Sequence, residues 1–124
     1  MKPVNKNQTF ENFLVDDGNA WALAALKTVI KDKNYYNPIY IYGKEGVGKL
    51  HLLNATINAI VELNKVAFLS AKELAVEMVE KIAMLIEANK KQLIISSTVA
   101  PNSMEVSSKL QERLQWGLTT NMTS

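Results

Sequence analysis

The sequence predicts a small α/β fold, a three-layer sandwich around a reduced, mostly parallel sheet of about four strands. Three observations carry that expectation. Short β-branched runs, Ile39–Tyr42, Val66–Ser70 and Gln92–Ser97, alternate with longer stretches of helical apolar spacing. Strands separated by helices join through right-handed crossovers, so neighbouring strands run parallel and helices cover both faces. The 124 residues suffice for one core and not for two. The domain is therefore read as 1–124, with an arm at 1–18 and the α/β core at 19–124.

The elements follow in order. Residues 1–8 are a polar lead-in, and Thr9–Val15 (TFENFLV) is a short aromatic segment, expected as an extended arm on the body. Asp16, Asp17, Gly18 and Asn19 make a turn and offer N-caps. Ala20 to about Lys31 is rich in helix formers. The following loop ends at Asn37-Pro38, because proline excludes a helix running through it. IYIY at 39–42 is apolar throughout, as a strand buried on both faces must be. Leu50–Leu63 places Leu52, Leu53, Thr56, Ile57, Ile60 and Val61 on one helical side. Residues 71–92 carry one long apolar stripe, Leu74 to Ile86, and predict a single helix. Ala100-Pro101-Asn102 breaks the chain, Met104–Gln115 is a short helix, and 116–122 is an edge strand.

Composition excludes several functions. There is no cysteine, so disulfides, thiolate metal sites and cysteine nucleophiles are absent. His51 is the sole histidine, which excludes a multi-histidine metal site. Net charge is +2, too mild to argue for nucleic acid, and thirteen of the fourteen bases are lysine. Arg113 alone could offer the planar fork that guanine and phosphate favour. The longest apolar stretch, Ala20–Leu26, is far short of the ~20 residues of a membrane span, and the N-terminus lacks the apolar segment of a signal peptide. A cytoplasmic protein without membrane contact is the expectation.

One motif carries chemistry. Gly43-Lys44-Glu45-Gly46-Val47-Gly48-Lys49 fits G-x-x-x-x-G-K between a buried strand and an amphipathic helix. Such a loop turns its backbone N–H groups inward onto phosphate oxygens, and glycine allows the path and the close approach. The helix that follows adds its positive end, and Lys49 reaches the outer phosphates. The next position, where a hydroxyl would hold magnesium, is Leu50. Asp16, Asp17 and Asp32 are the only aspartates and all precede the loop, so neither later strand ends in the acid that phosphate-loop hydrolysis needs. Glu73 and Glu77 read as a solvated helix face. Tyr35, Tyr36, Trp21 and Trp116 read as packing against the sheet, and His51 as packing or capping.

TFENFLV, YNPIYIYG, GVGK-x-HLL and ERLQWGL, four blocks spread over about residues 8–122, together resemble the ATPase domain of bacterial chromosomal replication initiators, the DnaA family. Members are AAA+ ATPases that bind ATP, form filaments and open the origin. The resemblance implies a P-loop NTPase-like (AAA+) sandwich here, lacking the Walker B strand and the lid. It implies that Phe13, Leu14 and Val15 approach the adenine and sugar, that Asn37 and Pro38 close the base pocket, and that Gly43 to Lys49, with Leu50, meet the phosphates. Ser96 and Ser97 would end the sensor strand. Against the family pattern, the magnesium threonine is Leu50, the sensor aspartate is Thr98, the arginine-finger position is Lys109, and VAFLS passes to QLIISS with no Walker B strand between. These departures favour a degenerate initiator-like module: weak ATP or ADP binding, little use of magnesium, no catalytic residue. It would act in replication initiation by contact with an initiator, a helicase-loading protein or itself, leaving direct DNA contact open. The alternatives are an ATPase completed by a partner subunit's acid, and a ligand-free relic.

Overall fold

The computed structural model describes residues 5–32, 35–60, 66–70 and 92–123. The chain runs α1 (Ala20–Lys31), β1 (Ile39–Tyr42), α2 (Lys49–Ala59), β2 (Val66–Ser70), β3 (Gln92–Ser97), a 3-10 turn (Pro101–Ser103), α3 (Ser108–Leu114) and β4 (Leu118–Asn121). The four strands form one sheet in the order β2-β3-β1-β4. Every pairing among them is parallel, with Ile39 opposite Ile94 on one side and Leu118 on the other. β2 is hydrogen-bonded directly to β3, so no strand lies between VAFLS and QLIISS. The sheet has closed over the place where the family pattern has one more strand. The long helix expected over 71–92 lies outside the described residues, apart from Gln92, which is the first residue of β3.

The alternation of the strand side chains builds the layers. Ile39 and Ile41 of β1 and Ile94 of β3 join Ala22, Leu26 and Val29 of α1 and Leu52 of α2 in one buried cluster. Tyr40, Leu93 and Ile95 point the other way, against Leu110 and Leu114 of α3. α3 starts later than the expected Met104, because the Ser107 hydroxyl accepts from the Leu110 N–H at 3.2 Å and fixes the cap there. Asn19 occupies the N-cap position of α1 but does not cap it. Its side chain turns back, accepting from the Asp16 N–H at 2.9 Å and donating to the Leu14 carbonyl at 3.0 Å.

The aromatic residues divide differently from expectation. Trp21 is 73% exposed and Tyr35 60%, so neither packs on the sheet. Tyr40 does: it is fully buried, and its hydroxyl donates to the Val99 carbonyl at 2.8 Å. Burial pushes the Tyr40 phenol above its ordinary value, opposed by a hydrogen bond with Ser97 and reinforced by Tyr42. Tyr40→Phe is expected to lower stability by about 1 kcal/mol at neutral pH. The neutral phenol is the form the fold prefers, so its contribution is full below the unfolded value and lost as pH rises through the folded one. Urea melts at pH 8 and pH 11 check this: the gap between wild type and variant should narrow at the higher pH.

Candidate functional site

β1 ends where the chain must turn sharply into α2, and that turn is the phosphate-loop motif. Gly43 continues the sheet for one more bond, donating its N–H to the Ser97 carbonyl at 3.1 Å. Gly46 and Gly48 lie in the left-handed region, at φ 87° and 96°, where a side chain is strained. Gly48 is the N-cap residue of α2, and no side chain caps that helix end. The first-turn N–H groups of α2 are thus left to whatever enters the loop.

Lys49, the first residue of α2, folds its ammonium back over the loop. It donates to the Gly43 carbonyl and, at 3.0 Å, to the Lys44 carbonyl. Burial holds its pKa below the usual lysine value, with the Glu45 charge acting in the opposite direction. Leu50 is 65% exposed and offers no oxygen. The position where a hydroxyl would hold magnesium is apolar, and the described residues contain no group of three His, Asp or Glu side chains able to hold a metal. The ends of β2 and β3, where an acid would act, are Ser70 and Ser97.

The arm meets the loop at one residue. Phe13 is buried, its ring edge-on to His51 with centroids 5.2 Å apart, and its Cε1 lies 3.7 Å from where a Cβ on Gly48 would stand. Leu14 and Val15 follow directly and are exposed, Leu14 by 87%. The arm is looped rather than extended: Thr9 and Asn12 exchange hydrogen bonds, and the Phe13 N–H reaches the Phe10 carbonyl. One helix face receives it. His51 Nε2 lies 2.9 Å from Asn12 Oδ1, Asn54 donates to Gln8 Oε1, and Asn58 donates to the Asn5 and Gln8 carbonyls.

Asn37 and Pro38 are not part of this assembly. Asn37 Oδ1 accepts from the N–H of Leu93, and the Pro38 carbonyl accepts from Leu118, both at strand starts. The loop sits at strand ends. In a parallel sheet those are opposite edges, and the four residues of β1 separate them by about 13 Å. The structure therefore brings Phe13 to Gly48, with Leu14 and Val15 next in the chain and exposed, and leaves the Asn37-Pro38 pair at the other end of β1, against Gly117. The sequence reading missed the polar stripe His51, Asn54, Asn58. Its signal was present, three hydrogen-bonding side chains at i, i+3 and i+7 beside the apolar face of α2.

The chain is similar to several known proteins. The family model described as "Bacterial DnaA ATPAse domain" matches residues 4–84 and 63–121. The chromosomal replication initiator protein DnaA of Methylacidiphilum infernorum is 30% identical over 165 positions that take in 98% of this chain and 36% of the relative. An alignment longer than the 124 residues matched leaves some forty positions of that relative without a counterpart here. Among solved structures, domain III of the Thermotoga maritima replication initiation protein DnaA superposes with a TM-score of 0.82 at 26% identity, covering 98% of this chain and 69% of that one. A replication initiator DnaA bound to AMPPCP and single-stranded DNA gives 0.79 at 26% identity, covering 98% and 51%. The chain spans about a third of the length of the curated relatives it matches. No described helix is long and apolar enough to cross a membrane. With the family model matching nearly the whole chain, and with the loop, arm and sheet in the arrangement above, this chain belongs to the family of the bacterial DnaA ATPase domain.

Proposed function

We propose that the chain is a DnaA-like nucleotide-binding module of replication initiation that binds ADP or ATP weakly, does not turn it over, and acts through contacts with initiator or helicase-loading proteins or with itself. The observation that carries the binding half is the uncapped start of α2 at a left-handed Gly48, with Lys49 one residue on. That arrangement gives an anion several N–H donors and one mobile charge. The AMPPCP held by the DnaA relative of known structure supports the choice of a nucleoside triphosphate or diphosphate. Exposed Leu50 and the serine ends of β2 and β3 support the second half. Hydrolysis needs a placed metal and an oriented water, and these residues supply neither.

Calorimetry with ADP and ATP, with and without magnesium, tests the proposal. The two nucleotides should bind within about threefold of each other, and magnesium should shift either by no more than that. Leu50→Thr restores a hydroxyl at the metal position and should introduce about fivefold magnesium dependence without phosphate release. Steady phosphate release by the wild-type chain, or tight binding that requires both ATP and magnesium, would refute the degenerate site. Absence of any binding would refute the module itself.

A further inference from the structure

We infer that His51 is a positioning residue for the nucleotide site: it clamps the N-terminal arm so that Phe13 lies against Gly48 of the phosphate loop and the two residues after it stand exposed. The inference rests on the nucleotide-binding reading proposed above.

The hydrogen bonding fixes the chemistry. His51 Nε2 faces two oxygens, Asn12 Oδ1 at 2.9 Å and the Thr9 carbonyl at 3.2 Å. Asn12 Oδ1 is oriented as an acceptor, since it also takes the Thr9 N–H at 2.9 Å while Asn12 Nδ2 donates to the Asn7 carbonyl. Two acceptors require Nε2 to carry the proton, so the clamp is a donor whatever the state of the other ring nitrogen. The same ring stands nearly perpendicular to Phe13, with centroids 5.2 Å apart. His51 thus holds both the turn at Thr9–Asn12 and the aromatic residue that follows.

Its place on α2 makes the contact consequential. Gly48 and Lys49 belong to the phosphate loop, and His51 stands two residues beyond, within the same first turn. The arm is therefore registered against the helix whose N-terminus faces the phosphates. Beyond Phe13, Asn19 donates to the Leu14 carbonyl at 3.0 Å and accepts from the Asp16 N–H at 2.9 Å, so the exposed pair Leu14–Val15 is fixed at both ends. Such a preformed apolar edge would meet a base without first having to be ordered. Asn54 and Asn58 hold the lead-in at Asn5 and Gln8, farther from Phe13.

The test uses the full chain, ADP as the probe, and amide exchange of residues 9–15 as a readout independent of nucleotide. His51→Ala should raise exchange at 9–15 by about tenfold while β1 and β3 stay protected, and should weaken ADP by a similar factor. His51→Gln places an amide N–H where Nε2 stands and should recover most of both effects. His51→Asn places its N–H near the other ring nitrogen and should recover neither. Asn12→Ala and His51→Ala should be less than additive, because the two share the His51–Asn12 bond. Unchanged exchange in His51→Ala, or equal rescue by Asn and Gln, would overturn the clamp. If the wild-type chain binds no ADP, the nucleotide reading fails with it, and the exchange data alone still decide whether His51 holds the arm.

Discussion

Gly43→Ala is expected to lower the melting temperature by about 10 °C, close to 3 kcal/mol for a domain of this size, and to cost more than the same change at Gly46. The two glycines share a loop but are needed for different reasons. A Cβ on Gly43 would stand 2.3 Å from the Met122 carbonyl oxygen and 3.2 Å from Val47 Cγ2. The first partner is backbone, and it cannot step aside. The Met122 N–H donates to the Tyr42 carbonyl at 2.7 Å, and the next residue, Thr123, donates to Gly18 at 2.9 Å. Moving Met122 thus pulls on the end of β4 and on the turn between arm and α1. Gly46 is the reverse case. A Cβ there meets nothing within 4 Å, and only its φ of 87° resists substitution, which is worth about 1–2 kcal/mol. Thermal and urea melts of the two variants decide the point. A Gly43→Ala chain as stable as Gly46→Ala would mean that β4 is not packed against the end of β1 as described.

That contact shows which parts of the molecule a sequence can disclose. β1 and β3 are legible because a strand inside a parallel sheet is buried on both faces and carries an apolar run, here Ile39–Tyr42 and Leu93–Ile95, while β2 at the sheet edge is legible from its short apolar run alone. The phosphate loop is legible because its requirement is local, glycines at fixed offsets between a strand and a helix. Pairings across the chain leave no such trace. Asn37 and Pro38 stand six and five residues before the loop in sequence, and the resemblance implied that they close the base pocket. A strand between them carries the chain from one edge of the sheet to the other, so short separation becomes the full depth of the layer. His51 and Asn12 are the opposite case, thirty-nine residues apart and 2.9 Å from each other. The aromatic residues mislead for a third reason. Burial on the sheet depends on which face of α1 a residue occupies, and Trp21 lies on the outer face while Ala22, Leu26 and Val29 take the inner one.

Lys49→Ala is expected to reduce ADP affinity by a hundredfold or more, to about the limit of detection, while leaving the fold intact. Of the two lysines in the loop, Lys49 is the one whose ammonium folds back over the loop carbonyls. It is held by the carbonyls of Gly43 and Lys44, and a phosphate oxygen would replace those bonds with a stronger, charge-assisted pair. Loss of a charged hydrogen bond of that kind is worth about 1.5–3 kcal/mol, roughly ten- to a hundredfold, and loss of the accompanying attraction carries the effect further. Lys49→Arg should rescue little. Its planar fork is longer and cannot follow the path by which a lysine folds back over two loop carbonyls. The pH dependence has a definite sign. Burial lowers the Lys49 pKa in the free chain, and a bound phosphate raises it. Affinity is then full below the free-chain value and falls as pH rises through it, beginning under the ordinary lysine range. Lys49→Ala should abolish that decline together with the binding. Calorimetry of ADP across alkaline pH, with circular dichroism as the fold control, makes the measurement. Undiminished ADP binding by a folded Lys49→Ala chain would move the nucleotide away from Gly43–Lys49 altogether, and with it the reason for Gly48 to open α2 in a left-handed turn.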